Sequence, residues 1–389
     1  MGSSLGELGV IADGAVLVRD GVLVEVGPSR RVENLAAARG AIEINAAGRV
    51  VMPGFIDSHT HLVYPPAGVN AQNPEAAVRA LHTATGQRLE HRARAFLDSM
   101  ARHGTTTVEI KTGCGTDESG EAKLMRVLAA VRNDPLDVIA SYFFQLPRTL
   151  ERASLPDNVE RVADELLPKI RRRHGADFAD LAWDSDPALL PHFDRYLSAA
   201  RGLGFACRIH TDGPGPAAGA VALALRHGVA GMEHIEHVGE SEIRQLAGAG
   251  IMATLLPGVS FPDNGPAPPA RALIDAGVAV ALGTNFNPHH APILSMQTIV
   301  ALACWRLRMT LEEALSAATI NGAYALGCGD RTGSLELGKS ADLVILNAGD
   351  YRDLATSIGT NLVHLTMKRG KFIYKEGDVN ARPPDLATP

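Results

Sequence analysis

The feature that most constrains the fold is a series of short apolar runs separated by helical patterns. Between Pro53 and about Gly329 eight such runs follow one another, with stretches such as EAAVRALHTATGQRLEHRARAFLDSMARHG between them. The runs are VMPGFIDSHTH, TTTVEIKTG, DVIASYFFQ, FADLAWD, FACRIHTD, GMEHIEH, IMATLLPG and VAVALGTNFNP. Eight strands alternating with helices are typical of a closed (β/α)₈ TIM barrel, whose functional side chains lie at the carboxyl ends of the strands. A doubly wound sheet is the alternative, but no glycine-rich phosphate loop follows the first run.

Both ends of the chain have the pattern of β-strands. Residues 8–52 alternate apolar and polar residues in GAVLVRDGVLVEVG and AIEINAAGRVVM, with Asp-Gly at 20–21 as a hairpin turn, and predict a sheet without helices. The β pattern returns after LEEALSAATINGAYAL, in GSLELGKSADLVILN and VHLTMKRGKFIYKEG. We therefore expect a composite β-sandwich domain from residues 1–52 and 330–389, beside a barrel domain of residues 53–329.

Composition limits the partners. The 389 residues are 46% hydrophobic and 21% charged, which is ordinary for a soluble protein. Only 5% of them are aromatic and the net charge is -6, so nothing favours nucleic acid or an anionic membrane as partner. No apolar run reaches membrane-spanning length, and the N-terminus lacks the features of a signal peptide. We expect a small-molecule substrate, and the sequence leaves a homodimer open.

The cysteines favour a reducing compartment. The chain has four, which lie far apart and form no CxxC pair: Cys114, Cys207, Cys304 and Cys328. This spacing indicates neither a disulfide framework nor a thiolate zinc site. A cytoplasmic location therefore fits best.

Five histidines lie at the ends of predicted barrel strands. His59 and His61 form an HxH pair after the first run, and residues two apart in a strand face the same side. His210 ends the fifth run, and His234 and His237 end the sixth. A single histidine is more often a surface or packed core residue. At three strand ends of one barrel, however, three or four imidazoles suit Zn²⁺ or Fe²⁺.

These motifs resemble a known family. The run PGFIDSHTHL, together with His210, EHIEH, the N-F-N-P turn and GSLELGKSADLVILN, resembles the amidohydrolase superfamily and, within it, the imidazolonepropionases. Further matches are HLVY, TTTVEIKTGCG, ATLLPGVSF and ATINGAYALG, so the resemblance runs from about residue 10 to 377. It implies a metal-dependent hydrolase that opens a cyclic amide C–N bond in histidine degradation, converting 4-imidazolone-5-propanoate to N-formimidoyl-L-glutamate.

The resemblance also implies a set of ligands. One divalent metal, Zn or Fe, is bound by His59, His61, His210 and the residue that ends the eighth strand, which here is Asn285. By the same resemblance, His234 polarises the substrate carbonyl. The fourth run has no lysine that could be carboxylated to bridge two metals, so a mononuclear site is expected.

The chain departs from the family pattern around this site. Asn285 replaces an aspartate, Gly213 a carboxylate and Cys114 a tyrosine, Leu146 lies near the place of a histidine, and the family's arginine after the HxH pair has no counterpart in VYPPAGVNAQ. A neutral amide cannot accept a proton from the attacking water. Two interpretations are therefore open. The chain is a hydrolase in which His234 or Asp212 transfers the proton, or it is a degenerate or re-specialised relative that binds a small molecule.

The remaining candidates have structural alternatives. Asp212 lies two residues after His210 and would share its inward face, or it is a loop or helix-cap residue. Cys114, His237 and His289 are candidate substrate contacts, with packing for Cys114 and a solvated loop for His289 as the alternatives. Glu109 and Lys111 face one side of the second strand and form an internal ion pair or contact the substrate.

Overall fold

The computed structural model of the chain describes residues 5–64, 74–112, 118–146, 150–173, 175–211, 217–259, 261, 265–288 and 291–377, and for residues 74–77 the backbone alone. The strands are Gly14–Arg19 (β1), Val22–Pro28 (β2), Val51–Pro53 (β3), Phe55–Asp57 (β4), Thr105–Lys111 (β5), Asp137–Phe144 (β6), Phe178–Ala182 (β7), Ala206–His210 (β8), Gly231–Glu233 (β9), Met252–Leu255 (β10), Val280–Leu282 (β11), Leu343–Leu346 (β12), Val363–Lys368 (β13) and Lys371–Lys375 (β14). The α-helices are Ser29–Glu33 (α1), Pro74–Thr83 (α2), Gly86–Arg102 (α3), Glu118–Val131 (α4), Leu155–Arg161 (α5), Leu167–Arg172 (α6), Leu190–Gly202 (α7), Ala218–His227 (α8), Glu240–Leu246 (α9), Ala270–Asp275 (α10), Met296–Leu307 (α11), Leu311–Ala317 (α12), Ile320–Ala325 (α13) and Asp353–Thr356 (α14).

Strands β4 to β11 form one parallel sheet in chain order. Parallel neighbours need a crossover connection, and helices supply it along the sheet. The two outer strands of this sheet also meet. Thr60, beyond β4, bridges Phe286, beyond β11, and the backbone N–H of His61 donates to the Phe286 carbonyl at 2.8 Å. The sheet therefore curls into a barrel, and the predicted (β/α)₈ fold is confirmed.

The seam between β4 and β11 is held by buried polar groups. The Asp57 carboxylate accepts hydrogen bonds from the Thr284 backbone N–H at 2.9 Å and from its hydroxyl at 2.7 Å. The Ser58 hydroxyl donates to the Leu282 carbonyl at 2.8 Å. At Gly283 a Cβ would lie 2.8 Å from the Cβ of His59, so only glycine permits this approach. The seam thus fixes the backbone that carries the HxH pair.

A second sheet combines both ends of the chain. Strand β3 pairs antiparallel with β12, and β13 and β14 continue the sheet. The β1–β2 hairpin, with its Asp-Gly turn, lies beside it: Val16 packs against the cluster that contains Leu343 and Leu365. Leu23 in β2 also donates its backbone N–H to the Lys339 carbonyl at 2.8 Å. The expected β-sheet unit built from both terminal regions is therefore present.

The prediction of a helix-free N-terminal region is wrong. Residues 29–33 form α1, and residues 36–38 form a 3₁₀ turn. The stretch SRRVENLAAAR is rich in residues with high helix propensity, and Val32 anchors α1 in the core. Of the predicted strand AIEINAAGRVVM, only the end pairs, as part of β3; Ile42 is 92% exposed because no described strand lies beside it. Local alternation without a partner does not make a strand.

The cysteine pattern agrees with the sequence. Cys207, Cys304 and Cys328 are free thiols. Cys114 lies outside the described residues. Among the helices of the described ranges, none combines the length and the apolar content that a bilayer crossing requires.

We expect Gly283→Ala to destabilise the barrel, because the new methyl group has to displace His59 or the backbone of the seam. Overpacking of this kind costs about 1–3 kcal/mol, measured as the free energy of unfolding in urea. Gly202→Ala is the matched control, because no atom lies within 4 Å of the new methyl group. Equal stability of the two variants would contradict the tight seam.

Candidate metal centre

Four histidines meet inside the carboxyl end of the barrel. His59 and His61 follow β4, His210 ends β8, and His234 follows β9. The ring centroids of His59 and His61 are 5.0 Å apart, those of His59 and His210 are 5.1 Å apart, and those of His210 and His234 are 4.1 Å apart. All four side chains are buried. The structure thus brings together the histidines that the sequence analysis selected at strands 1, 5 and 6, with the exception of His237.

The ring nitrogens have the spacing of metal ligands. The Nε2 atoms of His59 and His61 are 3.1 Å apart. Two Zn–N bonds of about 2.0–2.1 Å at a tetrahedral angle separate their nitrogens by about 3.3 Å, so this distance fits one shared cation. Ligand atoms of His59, His210 and His234 also lie within 4.8 Å of one another. His234 therefore belongs to the same cluster as the three predicted ligands.

Burial keeps His59 in the form that can bind a cation. Desolvation lowers the pKa of His59 well below its ordinary value, and the negative charge of Glu233 opposes this shift. The imidazole is therefore neutral at physiological pH and has a lone pair for a metal. Burial also raises the pKa of Asp57, at the seam, to about 7, although its hydrogen bonds from Thr284 lower it.

Asn285 lies next to the cluster through the backbone. Its N–H donates to the His59 carbonyl at 2.9 Å, as part of the barrel seam. The residue has φ of 53°, a left-handed conformation that asparagine tolerates better than most residues. The side-chain Oδ1 is buried and accepts no hydrogen bond within the part of the chain that the structure describes. A buried carbonyl oxygen without a donor needs a partner, and a divalent cation satisfies this requirement.

A network of buried charges lies below the imidazoles. The Lys111 ammonium is 3.0 Å from Glu109, 2.5 Å from Asp180 and 2.8 Å from Glu233. Arg208 pairs with the same three carboxylates, with 3.3 Å between its Nη1 and Glu233 Oε1. Glu109 and Lys111 therefore form an internal ion pair, which was one of the two alternatives for them.

Glu233 is ionised in this network. Burial opposes its negative charge, but the charges of Lys111 and Arg208 outweigh burial and hold its pKa well below the usual range. His59, Glu109 and Glu233 also have the spacing of a metal-binding group. Glu109 and Glu233 each already pair with the two cationic side chains, Lys111 and Arg208. The cluster of imidazoles is therefore the better cation site.

The sequence analysis did not identify Asp180, Arg208 or Glu233. The sequence nevertheless contained a sign of their role. Each is a charged residue inside an apolar run, in FADLA, ACRIH and GME. Charged residues are almost never fully buried unless they are paired. Charges in five positions of four buried strands therefore predict an internal network, although they do not say which residues pair.

The other predicted site residues have different positions. His237 is exposed and makes no ring contact with the four imidazoles in the described ranges. Leu146 is half-buried and packs against the barrel core. Four positions that the sequence analysis named, as site residues or as departures from the family pattern, lie outside the described residues: Cys114, Asp212, Gly213 and His289. His234 has φ of 54°, and its carbonyl accepts a hydrogen bond from the Thr211 hydroxyl at 2.5 Å.

Comparison with known proteins defines the class. The sequence model of the amidohydrolase family matches residues 66–374. Imidazolonepropionase from Parabacteroides distasonis is 36% identical over 95% of this chain and 94% of its own length. Imidazolonepropionase from Symbiobacterium thermophilum is 36% identical over 98% of this chain and 95% of its own length. The chain therefore belongs to the amidohydrolase family, in the group that contains the imidazolonepropionases.

Solved structures have the same fold. A 5-methylcytosine deaminase from Klebsiella pneumoniae superposes with a TM-score of 0.75 at 18% identity and covers 95% of this chain and 96% of its own. An adenosine deaminase from Xanthomonas campestris, solved with bound zinc, has a TM-score of 0.71 at 22% identity, with 95% of this chain and 90% of its own covered. At these identities the likeness concerns the fold alone.

We expect Arg208→Met to destabilise the chain by about 3–5 kcal/mol, because it leaves buried carboxylates without one of their two cations. Arg195→Met is the control. Arg195 pairs with Asp164 at the surface, where both side chains are about half exposed, and its loss costs within about 1 kcal/mol. Urea unfolding measures both values. A small effect at Arg208 would mean that the network does not hold the barrel floor.

Proposed function

We propose that the chain is a metal-dependent hydrolase of the imidazolonepropionase type, which opens the ring of 4-imidazolone-5-propanoate at a C–N bond to give N-formimidoyl-L-glutamate. Identity of 36% to named imidazolonepropionases over almost the whole chain supports this substrate class. The observation that carries the chemistry is the meeting of four buried imidazoles at the carboxyl end of the barrel. This is where (β/α)₈ enzymes have their active sites.

In this proposal one Zn or Fe ion is held by His59, His61, His210 and Asn285. The 3.1 Å between two Nε2 atoms and the buried Oδ1 of Asn285 without a hydrogen-bond donor support this set. A divalent ion bound there would supply a Lewis acid and lower the pKa of water. Three imidazoles and one amide would hold the ion, and none of these ligands would add a negative charge to the site.

The remaining roles belong to residues around this set. In this proposal His234 contacts the substrate carbonyl, and two observations support the role: Thr211 donates a hydrogen bond to the backbone carbonyl of His234, and the His234 ring lies beside that of His210. Because the Asn285 amide cannot accept a proton, proton transfer falls to His234 or to Asp212. Cys114, His237 and His289 remain proposed substrate contacts, and the exposure of His237 makes it a contact at the mouth rather than inside the cluster.

The degenerate alternative is not favoured. A chain that has lost its chemistry needs no buried imidazole cluster over a paired charge network, yet both are present here. The departures at Asn285 and Cys114 concern single side chains within a scaffold that is similar to its relatives along its whole length. They are more economically explained as adjustments of proton transfer and substrate contact.

The organisation of the molecule follows the same proposal. We propose residues 1–52 and 330–389 as the β-sandwich domain and residues 53–329 as the catalytic barrel, with the β3–β12 pairing as support. A cytoplasmic location is proposed from the free thiols of the described cysteines. A homodimer is also compatible with this assignment.

The metal and the substrate are tested together. We expect the purified chain, after reconstitution, to hold about one Zn or Fe per chain and to hydrolyse 4-imidazolone-5-propanoate, since a cluster of three imidazoles binds these ions tightly. His210→Ala should lose the metal and lower kcat/KM by several powers of ten. Metal analysis and ultraviolet absorbance of the substrate measure the two effects.

His364→Ala is the control, since His364 lies in β13 of the second sheet and pairs with Glu376. It should keep both metal and activity. Metal content of zero in the reconstituted wild-type chain would overturn the metal site. A full metal complement without turnover of this compound would be consistent with the metal site. It would refute 4-imidazolone-5-propanoate as the substrate.

Asn285→Asp tests the unusual ligand. A carboxylate adds a negative charge beside the cation, so we expect Zn²⁺ to bind more tightly, on the order of tenfold. Competition with a chromophoric chelator measures the affinity, and Asn287→Asp, two residues further on in the same turn, controls for added charge. Unchanged or weaker affinity in Asn285→Asp would show that position 285 does not contact the metal.

A further inference from the structure

The carboxylate of Glu233 faces the imidazole cluster from below. It ends β9 and is fully buried. Its Oε2 lies 3.1 Å from Nδ1 of His59 and 3.7 Å from Nδ1 of His210. One carboxylate thus approaches the inner ring nitrogen of two histidines that come from opposite sides of the barrel.

The ring orientation of His59 gives this approach a consequence. Its Nδ1 faces Glu233, and its Nε2 faces the Nε2 of His61 at 3.1 Å. A neutral imidazole has one N–H and one lone pair, and the hydrogen bond at one nitrogen decides where the proton resides. A carboxylate 3.1 Å from Nδ1 favours the tautomer with the proton on Nδ1, which leaves the lone pair of Nε2 directed toward the cluster.

Glu233 itself is held by two cations. Lys111 Nζ lies 2.8 Å from Oε2, and Arg208 Nη1 lies 3.3 Å from Oε1. All three side chains are buried, so solvent does not compete for these contacts. These contacts hold the carboxylate in position beside His59.

We propose that Glu233 is a positioning residue for the cation site: it keeps His59 in the tautomer with Nδ1 protonated and makes its Nε2 a better ligand. Carboxylates that accept from a metal-bound histidine orient the ring and increase its basicity. The role matters more in this chain because Asn285 adds no charge to the site. This inference rests on the proposed metal centre, and it assigns Glu233 no contact with the substrate.

The test compares two isosteric variants of buried carboxylates. Glu233→Gln keeps the shape and removes the charge beside His59. Asp180→Asn does the same to a carboxylate that contacts Lys111 and Arg208, with no imidazole among its ion pairs within the described residues. The full chain is stripped with a chelator, and the affinity for Zn²⁺ alone is measured by competition with a chromophoric chelator.

We expect Glu233→Gln to weaken Zn²⁺ binding by about 10- to 100-fold, as loss of such partners does in other metal sites. Asp180→Asn should lower the thermal midpoint of the metal-free chain and leave the Zn²⁺ affinity near the wild-type value. Equal losses of affinity in both variants would overturn the specific role of Glu233, and so would unchanged affinity in Glu233→Gln. Absence of Zn²⁺ binding in the wild type would overturn the metal centre itself and this inference with it.

A spectroscopic measurement does not depend on the stability of Glu233→Gln. In the metal-free wild-type chain labelled with ¹⁵N-histidine, the ring nitrogen shifts of His59, assigned by their loss in His59→Gln, report its tautomer. We expect the Nδ1-protonated form. The Nε2-protonated form would overturn the inference even if Glu233→Gln fails to fold, since a purely structural Glu233 would not set the tautomer.

Discussion

The site depends on the closure of the barrel between β4 and β11. Closure joins residues more than two hundred positions apart through backbone hydrogen bonds, and the same bonds align the HxH pair with the turn that contains Asn285. Gly283 permits the approach and Asp57 secures it. Because the bonds are made by the backbone, and because asparagine and aspartate both tolerate the positive φ at this position, either residue can lie beside His59. The scaffold could therefore tolerate the change from an acid to an amide without losing the geometry of the site.

A network of paired buried charges lies beneath the imidazole cluster. Three carboxylates and two cations fill the barrel interior where an apolar core would be expected, and each described member faces at least one opposite charge. Buried ion pairs of this kind are weak evidence for stability, since apolar packing is often as stable. Their value here is in position: they hold an ionised carboxylate against the inner nitrogens of two histidines. Stability and function are thus linked through Glu233.

Much of the fold and part of the site could be predicted from the sequence. Eight apolar runs and their intervening helical patterns predicted the barrel, and period-two alternation predicted that His59 and His61 face one side. The charge network was missed because its pairs are far apart in the chain: Arg208 and Glu109 meet across the barrel interior, and no local pattern specifies such partners. The helix at residues 29–33 was missed for a different reason: its helix propensity was overlooked beside the alternating pattern of the flanking stretches. Asp212 and Cys114 lie outside the described residues, and the roles proposed for them rest on the sequence alone.

The central claim is that one cation is shared by imidazoles of three strands and the amide of Asn285. An anomalous difference map from crystals of the Zn²⁺-loaded chain, recorded at the zinc absorption edge, tests it most directly. The account predicts one strong peak within bonding distance of Nε2 of His59, of His61 and His210, and of Oδ1 of Asn285. A peak held instead by Glu109 and Glu233, or a fully loaded protein with no zinc at the imidazole cluster, would contradict it.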